Sequence, residues 1–223
     1  MKRLKNAIIN DFRKFLTDPA ERGTTTSDTF SGDGSTTEFT LTKRSLMYVD
    51  SITIDGTAKK LNRDYYIDFG RSKTYGIITF VSAPSNSTVI IVSYYYGENW
   101  IYPGFPRKDA NMPRLGFRRI GGGAKSAGVG DQVEFIEPVY RIGIWVRSGD
   151  PYTIDGETYS GDKLLDFIEN DIYKKIVSMR RDHYEPYKVT TMRVEDGVDV
   201  DFDEAFELNR REMRIYFHYQ KSY

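Results

Sequence analysis

Between Glu38 and Tyr94 the chain repeats one local pattern, a short run of alternating apolar and polar residues followed by a turn signal. The runs are Glu38-Phe39-Thr40-Leu41, Ser51-Ile52-Thr53-Ile54, Tyr65-Tyr66-Ile67-Asp68, Ile77-Ile78-Thr79-Phe80 and Val89-Ile90-Ile91-Val92-Ser93-Tyr94. Asp33-Gly34, Asp55-Gly56, Phe69-Gly70, Tyr75-Gly76 and Pro84-Ser85-Asn86 punctuate them. A period of two sends successive side chains to opposite faces, so each run reads as a half-buried strand. Short strands at regular spacing predict a small antiparallel sandwich or barrel, and residues 24–98 are read as one β module. The 17 Tyr and 13 Phe of the 223 residues favour sheet over disorder.

The flanks have another texture. Leu4, Ile8, Ile9, Phe12, Phe15 and Leu16 recur at helical spacing, and Asp18-Pro19 and Gly23 end the pattern. The helix is amphipathic, and Asn6, Asn10, Asp11 and Arg13 interrupt it too often for the apolar core of a signal peptide. A proline-bounded strand is predicted at about 114–120. A second, Tyr140-Arg141-Ile142-Gly143-Ile144-Trp145-Val146, carries Tyr140, Ile142, Ile144 and Val146 on one face. Asp162 or Ser160 caps a helix running to about Arg181, with Leu165, Ile168, Ile172, Ile176 and Met179 as its core stripe. Two strands, near Tyr187–Val194 and Arg211–Tyr219, close the order. The class this predicts is α+β: a small mixed α/β domain made of residues 1–23 and 99–223, with the all-β module of 24–98 inserted.

The stretch Arg118-Arg119-Ile120-Gly121-Gly122-Gly123-Ala124-Lys125-Ser126-Ala127-Gly128-Val129-Gly130 raises the question of a phosphate cradle. A P-loop needs glycine directly before its Lys-Ser pair, and Ala124 stands there; the dinucleotide spacing fails as well. The stretch is read as a long connection between two strands, rich in glycine and available to a partner. Other chemistry fares no better. Asp199, Asp201 and Asp203 start an EF-hand count, but Glu204 sits where the turn needs glycine and Arg210 where a bidentate Glu is required. His183 and His218, the only histidines, lie in no recognised catalytic motif. No cysteine is present, which excludes thiol chemistry and disulfides. Lys and Arg total 32 and Asp and Glu 32, so no global field draws the chain to nucleic acid or an anionic membrane. The pairs Arg118-Arg119, Arg180-Arg181 and Arg210-Arg211 are scattered, and read as solvated faces or subunit-interface charges. No enzyme, metal or cofactor is expected.

Two resemblances bear on function. The set "FSGDGSTTEFTL", "VDSITIDG", "DYYIDF" and "GIITFVSAPSNSTVIIVSYYYG" resembles a β module that recurs in structural proteins of tailed bacteriophages. With that module set aside, Met112-Pro113-Arg114-Leu115-Gly116-Phe117, the strand Tyr140–Val146 and the helix Lys163–Arg180 follow an order that resembles the tail terminator, or tail completion, proteins of those phages. The resemblance implies a ring, usually hexameric, that caps the tail tube and joins it to the head connector, in the neck or tail of a virion assembled in the host cytoplasm. Tail tube and connector proteins would be the partners. DNA would pass through the lumen without specific binding, and no membrane would be involved. On that reading the glycine-rich stretch, with Gly121, Gly122, Gly123, Lys125, Gly128 and Gly130, is an assembly-interface loop flanked by the interface charges Arg118 and Arg119. A head-to-tail adaptor or stopper protein is an alternative. A tail-associated adhesion module binding carbohydrate through the tyrosines of 24–98 is another.

Overall fold

A computed structural model describes residues 2–70, 74–106, 109–126, 133–178, 189–203 and 207–222. The chain divides into two compact units, one of residues 1–14, 22–99 and 184–186, the other of 15–21, 100–183 and 187–223.

The first unit contains α1 (Lys2–Phe15) and seven strands: β1 (Gly23–Ser31), β2 (Glu38–Arg44), β3 (Leu46–Ile54), β4 (Thr57–Ala58), β5 (Tyr65–Asp68), β6 (Tyr75–Phe80) and β7 (Val89–Gly97). They form two antiparallel sheets, β1-β7-β3-β4 and β2-β6-β5. The predicted alternation places the core: Phe39, Leu41, Tyr65, Ile67, Ile78 and Phe80 from one sheet meet Val49, Ile52, Ile90, Val92 and Tyr94 from the other. A buried polar cluster ties three strands together. Asp28 on β1 accepts from the Thr42 amide and hydroxyl, each at 2.7 Å, and from the Tyr94 hydroxyl at 3.0 Å.

The helix α1 packs on this unit through its polar residues. Between Leu46 and Ser51 the β3 register slips twice against β7, and β4 pairs only with Thr53 and Ile54. One backbone edge of that segment therefore needs partners. Asn10 supplies two, accepting from the Val49 amide at 2.8 Å and donating to the Val49 carbonyl at 3.2 Å. Arg13 donates to Met47 O at 2.9 Å, and Asn6, one turn before Asn10, to Ile67 O at 2.8 Å. The residues that break the apolar pattern of the helix are those that cap the sheet edge. Asp11, buried with one carboxylate oxygen unpartnered, is pushed up to about 7 by burial, against the opposing help of Asn10 and Lys14.

The second unit is one large sheet with a helix on one face. Its strands are β8 (Ile101–Tyr102), β9 (Arg114–Gly121), β10 (Ala124–Ser126), β11 (Val133–Ile136), β12 (Val139–Arg147), the small hairpin β13 (Tyr152–Ile154) and β14 (Glu157–Tyr159), then β15 (Val189–Asp203) and β16 (Leu208–Ser222). The sheet order is β10-β11-β16-β12-β9-β8, with β15 on the other side of β16. The helix α2 (Gly161–Ser178) packs on β12, β15 and β16. Its Leu164, Leu165, Ile168, Ile172 and Ile176 are buried, as are Tyr140, Ile142, Ile144, Met213, Ile215 and Phe217 on the strands. Tyr140 stacks on Phe117 at 4.5 Å and meets Phe217 edge-on at 5.4 Å. At the margin Arg211 pairs with Asp166 at 2.6 Å and Glu169 at 2.7 Å, while Glu169 also accepts from the Gly197 amide at 2.7 Å.

Two expectations are corrected. The fold is mostly β, with 51% of the described residues in strands and 16% in helices, so the α+β class does not hold. Both expected helices are present. The difference is strand where alternation is absent: β1 lies in the stretch of Thr, Ser and Asp ahead of the first expected strand, β10 in the glycine-rich connection, and β15 runs on through the acidic residues 195–203 beyond the strand expected near Tyr187–Val194. Two of them, β1 and β15, lie at sheet margins, where strict alternation is less strongly required. The second difference is the place of the leading helix, which was assigned with residues 99–223 and instead packs on the β module through Asn6, Asn10 and Arg13.

Candidate functional site

The glycine-rich stretch is the bend of a long hairpin. Strand β9 continues into β10 and β11 into β12, with Ala124 opposite Ile136, Lys125 opposite Phe135 and Ser126 opposite Glu134. The inner strand β11 also pairs with the end of β16, from Val133 opposite Ser222 to Ile136 opposite Tyr219. The result is a three-stranded arm that carries the sheet past the strands on which α2 packs. Its bend is held by backbone bonds from the Glu137 amide to Gly123 O at 3.0 Å and from the Phe217 amide to Pro138 O at 3.2 Å. Arg119 Nε donates to Gly121 O at 3.2 Å, and Glu137 meets His218 Nε2 at 3.0 Å.

The three consecutive glycines are not equivalent. Gly122 has φ +108°, and a Cβ there would lie 2.1 Å from Glu137 O and 2.5 Å from Pro138 Cα. Such a position excludes any side chain. Gly121 and Gly123 face open space. Glycine is therefore dictated at the bend by one close approach, and the stretch from Gly121 to Ser126 has a defined path. Lys125 lies within β10. Gly128 and Gly130 lie outside the described residues, as do His183, Met179 and the Arg180-Arg181 pair. Arg118 and Arg119 fall on opposite faces of β9: Arg119 opposes Tyr140 at the bend, while Arg118, exposed, lies with its guanidinium 5.4 Å from the centre of the Phe105 ring.

The acidic run of Asp199, Asp201 and Asp203 lies in β15 as extended chain, which does not wrap an ion as a calcium loop does. Among the described residues no group of three acidic, histidine or cysteine side chains is placed to hold a metal. Among the tyrosines of the β module, Tyr48 and Tyr95 stack on each other at 4.5 Å and Tyr94 is fully buried against Asp28, while Tyr75 is exposed beneath the Arg44 guanidinium. A groove of about 420 Å³ runs along α2 between Tyr159 and Lys174, but Asp166 is paired with Arg211 and Asp171 accepts from the Thr17 amide at 2.8 Å. No helix among the described residues is long and apolar enough to cross a membrane.

No family model matches this chain, and no curated protein sequence matches it.

Proposed function

We propose that the chain is a non-enzymatic structural subunit of a tailed-phage neck, assembling as a ring, hexameric by the resemblance, that caps the tail tube and joins tail to head. The observation that carries this reading is the arm of β10, β11 and the end of β16. It extends the sheet past the helix-covered strands, and a bend that tolerates only glycine at position 122 aims it. Equivalent arms in a closed ring converge around one axis, where each meets a neighbouring copy or an axial partner. Edge strands and hairpins are the elements through which β proteins associate. The strand pair and helix that carry the tail-terminator resemblance, β9, β12 and α2, lie together in the same unit and add to it.

The test is geometric. Because Glu137 already bonds to Gly123, residues 124–136 are replaceable by a tight turn that leaves β9, β12 and their pairing in place. The shortened chain is expected to fold and stay soluble but to leave separated heads and tails in electron micrographs. Joined, infectious particles from that variant overturn the reading. Capture by the purified intact ring of the head connector in place of the tail tube assigns it to the adaptor or stopper position.

A further inference from the structure

The face of the second sheet opposite α2 collects arginines that are far apart in sequence. Pairing sets Arg118 opposite Arg141 and Arg141 opposite Arg214, a row across β9, β12 and β16. Arg210 on β16 and Arg193 on β15 flank it. Each guanidinium has a neighbour that holds it in place. Arg210 lies 5.3 Å from the Trp145 ring centre, Arg193 4.3 Å from Tyr216 and Arg118 5.4 Å from Phe105. Glu212 bridges Arg210 and Arg141, the latter at 3.5 Å, and Glu195 bridges Arg193 at 3.4 Å and Arg214 at 3.8 Å. The indole of Trp145 lies on the sheet itself: a Cβ at Gly143 would sit 2.4 Å from it, so glycine clears its floor.

We infer that this face is a binding site for the phosphate backbone of duplex DNA. Three carboxylates, Glu137 beside His218 and the bridging Glu195 and Glu212, share the face with five guanidiniums, which leaves an excess of about two positive charges on it, although the chain as a whole is neutral. All five are arginine. A guanidinium laid on a ring keeps its in-plane N–H groups for a second partner, and that fork matches phosphate. The row spans two strand steps, roughly 10 Å, about three phosphate-to-phosphate steps along the axis of one DNA strand. The ring faces are covered by guanidinium, which favours backbone contact over base stacking. A dry interface with a second copy is disfavoured because it would bury five arginines and three glutamates with unbalanced charge, whereas a DNA backbone leaves them hydrated. The inference stands on the chemistry of the face and does not rest on the ring reading.

The experiment uses the full chain and a short fluorescein-labelled duplex of mixed sequence, read by anisotropy over a series of KCl concentrations. Binding without sequence preference is expected, with log K falling against log salt at a slope of about −3. Arg118→Ala, at an exposed position, should reduce that slope by about 1, and the triple variant Arg118→Ala/Arg141→Ala/Arg214→Ala should lose about tenfold or more at low salt. Glu195→Gln should tighten binding. Absence of binding at low salt, or binding unchanged in the triple variant with its circular dichroism intact, overturns the proposal. So does salt-sensitive self-association that the triple variant abolishes while the duplex remains unbound, since that assigns the face to a second copy. Marked preference for single strands, with fluorescence quenching lost in Trp145→Phe, overturns it in favour of base stacking.

Discussion

The two units solve the same problem, a twisted sheet with an apolar face, in opposite ways. The first packs its sheets on each other, buries Tyr65 and Tyr94 between them and covers an exposed backbone edge with the polar side of α1. The second covers one face with α2 and leaves the other charged, then extends its strands into an arm. The first unit directs its regular alternation to the core between its own two sheets. The second sheet presents a cationic face, covered in part by Phe105 and its neighbours, and a projecting hairpin. Function is therefore sought in the second unit, although the first has the more regular sequence.

The comparison breaks most severely at the core of the second unit. Phe217 is fully buried beneath α2 and meets Tyr140, so Phe217→Ala is expected to destabilise that unit by about 3–5 kcal/mol. Trp100 and Trp145, the only tryptophans, both belong to it, so their emission follows its unfolding alone. Calorimetry of the same variant should show the transition of the first unit unmoved; a common shift would mean that the two share one cooperative core.

Next in size is an effect confined to the first unit. Asp11 is raised by burial to about 7, so its protonated form is the one the fold prefers. The stability this contributes is complete below the carboxyl's ordinary range near pH 4 and is lost as pH rises through about 7, at roughly 1.4 kcal/mol per pH unit in that window. Asp11→Asn should flatten this dependence and be the more stable chain at pH 8, as read from thermal midpoints between pH 4 and 8. A parallel decline in both proteins would place the titrating group elsewhere.

What was legible in the sequence follows the same divide. Strands β2, β3, β5, β6 and β7 alternate because each has one wet and one dry face, and the stripe of α2 from Leu165 to Ile176 shows its single contact. Strand β1 and the acidic second half of β15 gave no such signal, because edge strands rich in Thr, Ser or Asp carry little apolar alternation. Asn10 and Arg13 looked like flaws in an amphipathic helix because the sheet edge they cap is about forty residues away in sequence. The arginine face was invisible for a related reason. Arg118, Arg141, Arg193, Arg210 and Arg214 become neighbours only through strand register, and the one local trace was the alternation of Arg214, Tyr216 and His218 with Met213, Ile215 and Phe217.

A smaller change tests how the first unit is locked. Asp28→Ala removes the acceptor shared by Thr42 and Tyr94 and leaves the buried Tyr94 hydroxyl short of a partner, at a cost of about 1–3 kcal/mol. Tyr94→Phe in the same background should then cost little further, because the two side chains act as one cluster; additive losses in chemical denaturation would show that they act separately.

The finest test lies within the arm, where neighbouring glycines are expected to behave differently. Gly122→Ala forces a side chain into a left-handed conformation and against the Glu137 carbonyl, so the bend must open at a cost of about 1–3 kcal/mol, read by tryptophan emission. Gly121→Ala and Gly123→Ala meet open space and ordinary backbone angles, and each should change stability by no more than about 0.5 kcal/mol, with a gain as conceivable as a loss because alanine narrows the unfolded ensemble. If all three substitutions were equally mild, the bend would not be a fixed element, and the arm would be the pliable loop that its glycine content suggests. If all three were equally costly, contacts of the arm absent from the isolated chain would be at work. A loss at 122 alone separates a geometric requirement for glycine from mere glycine richness.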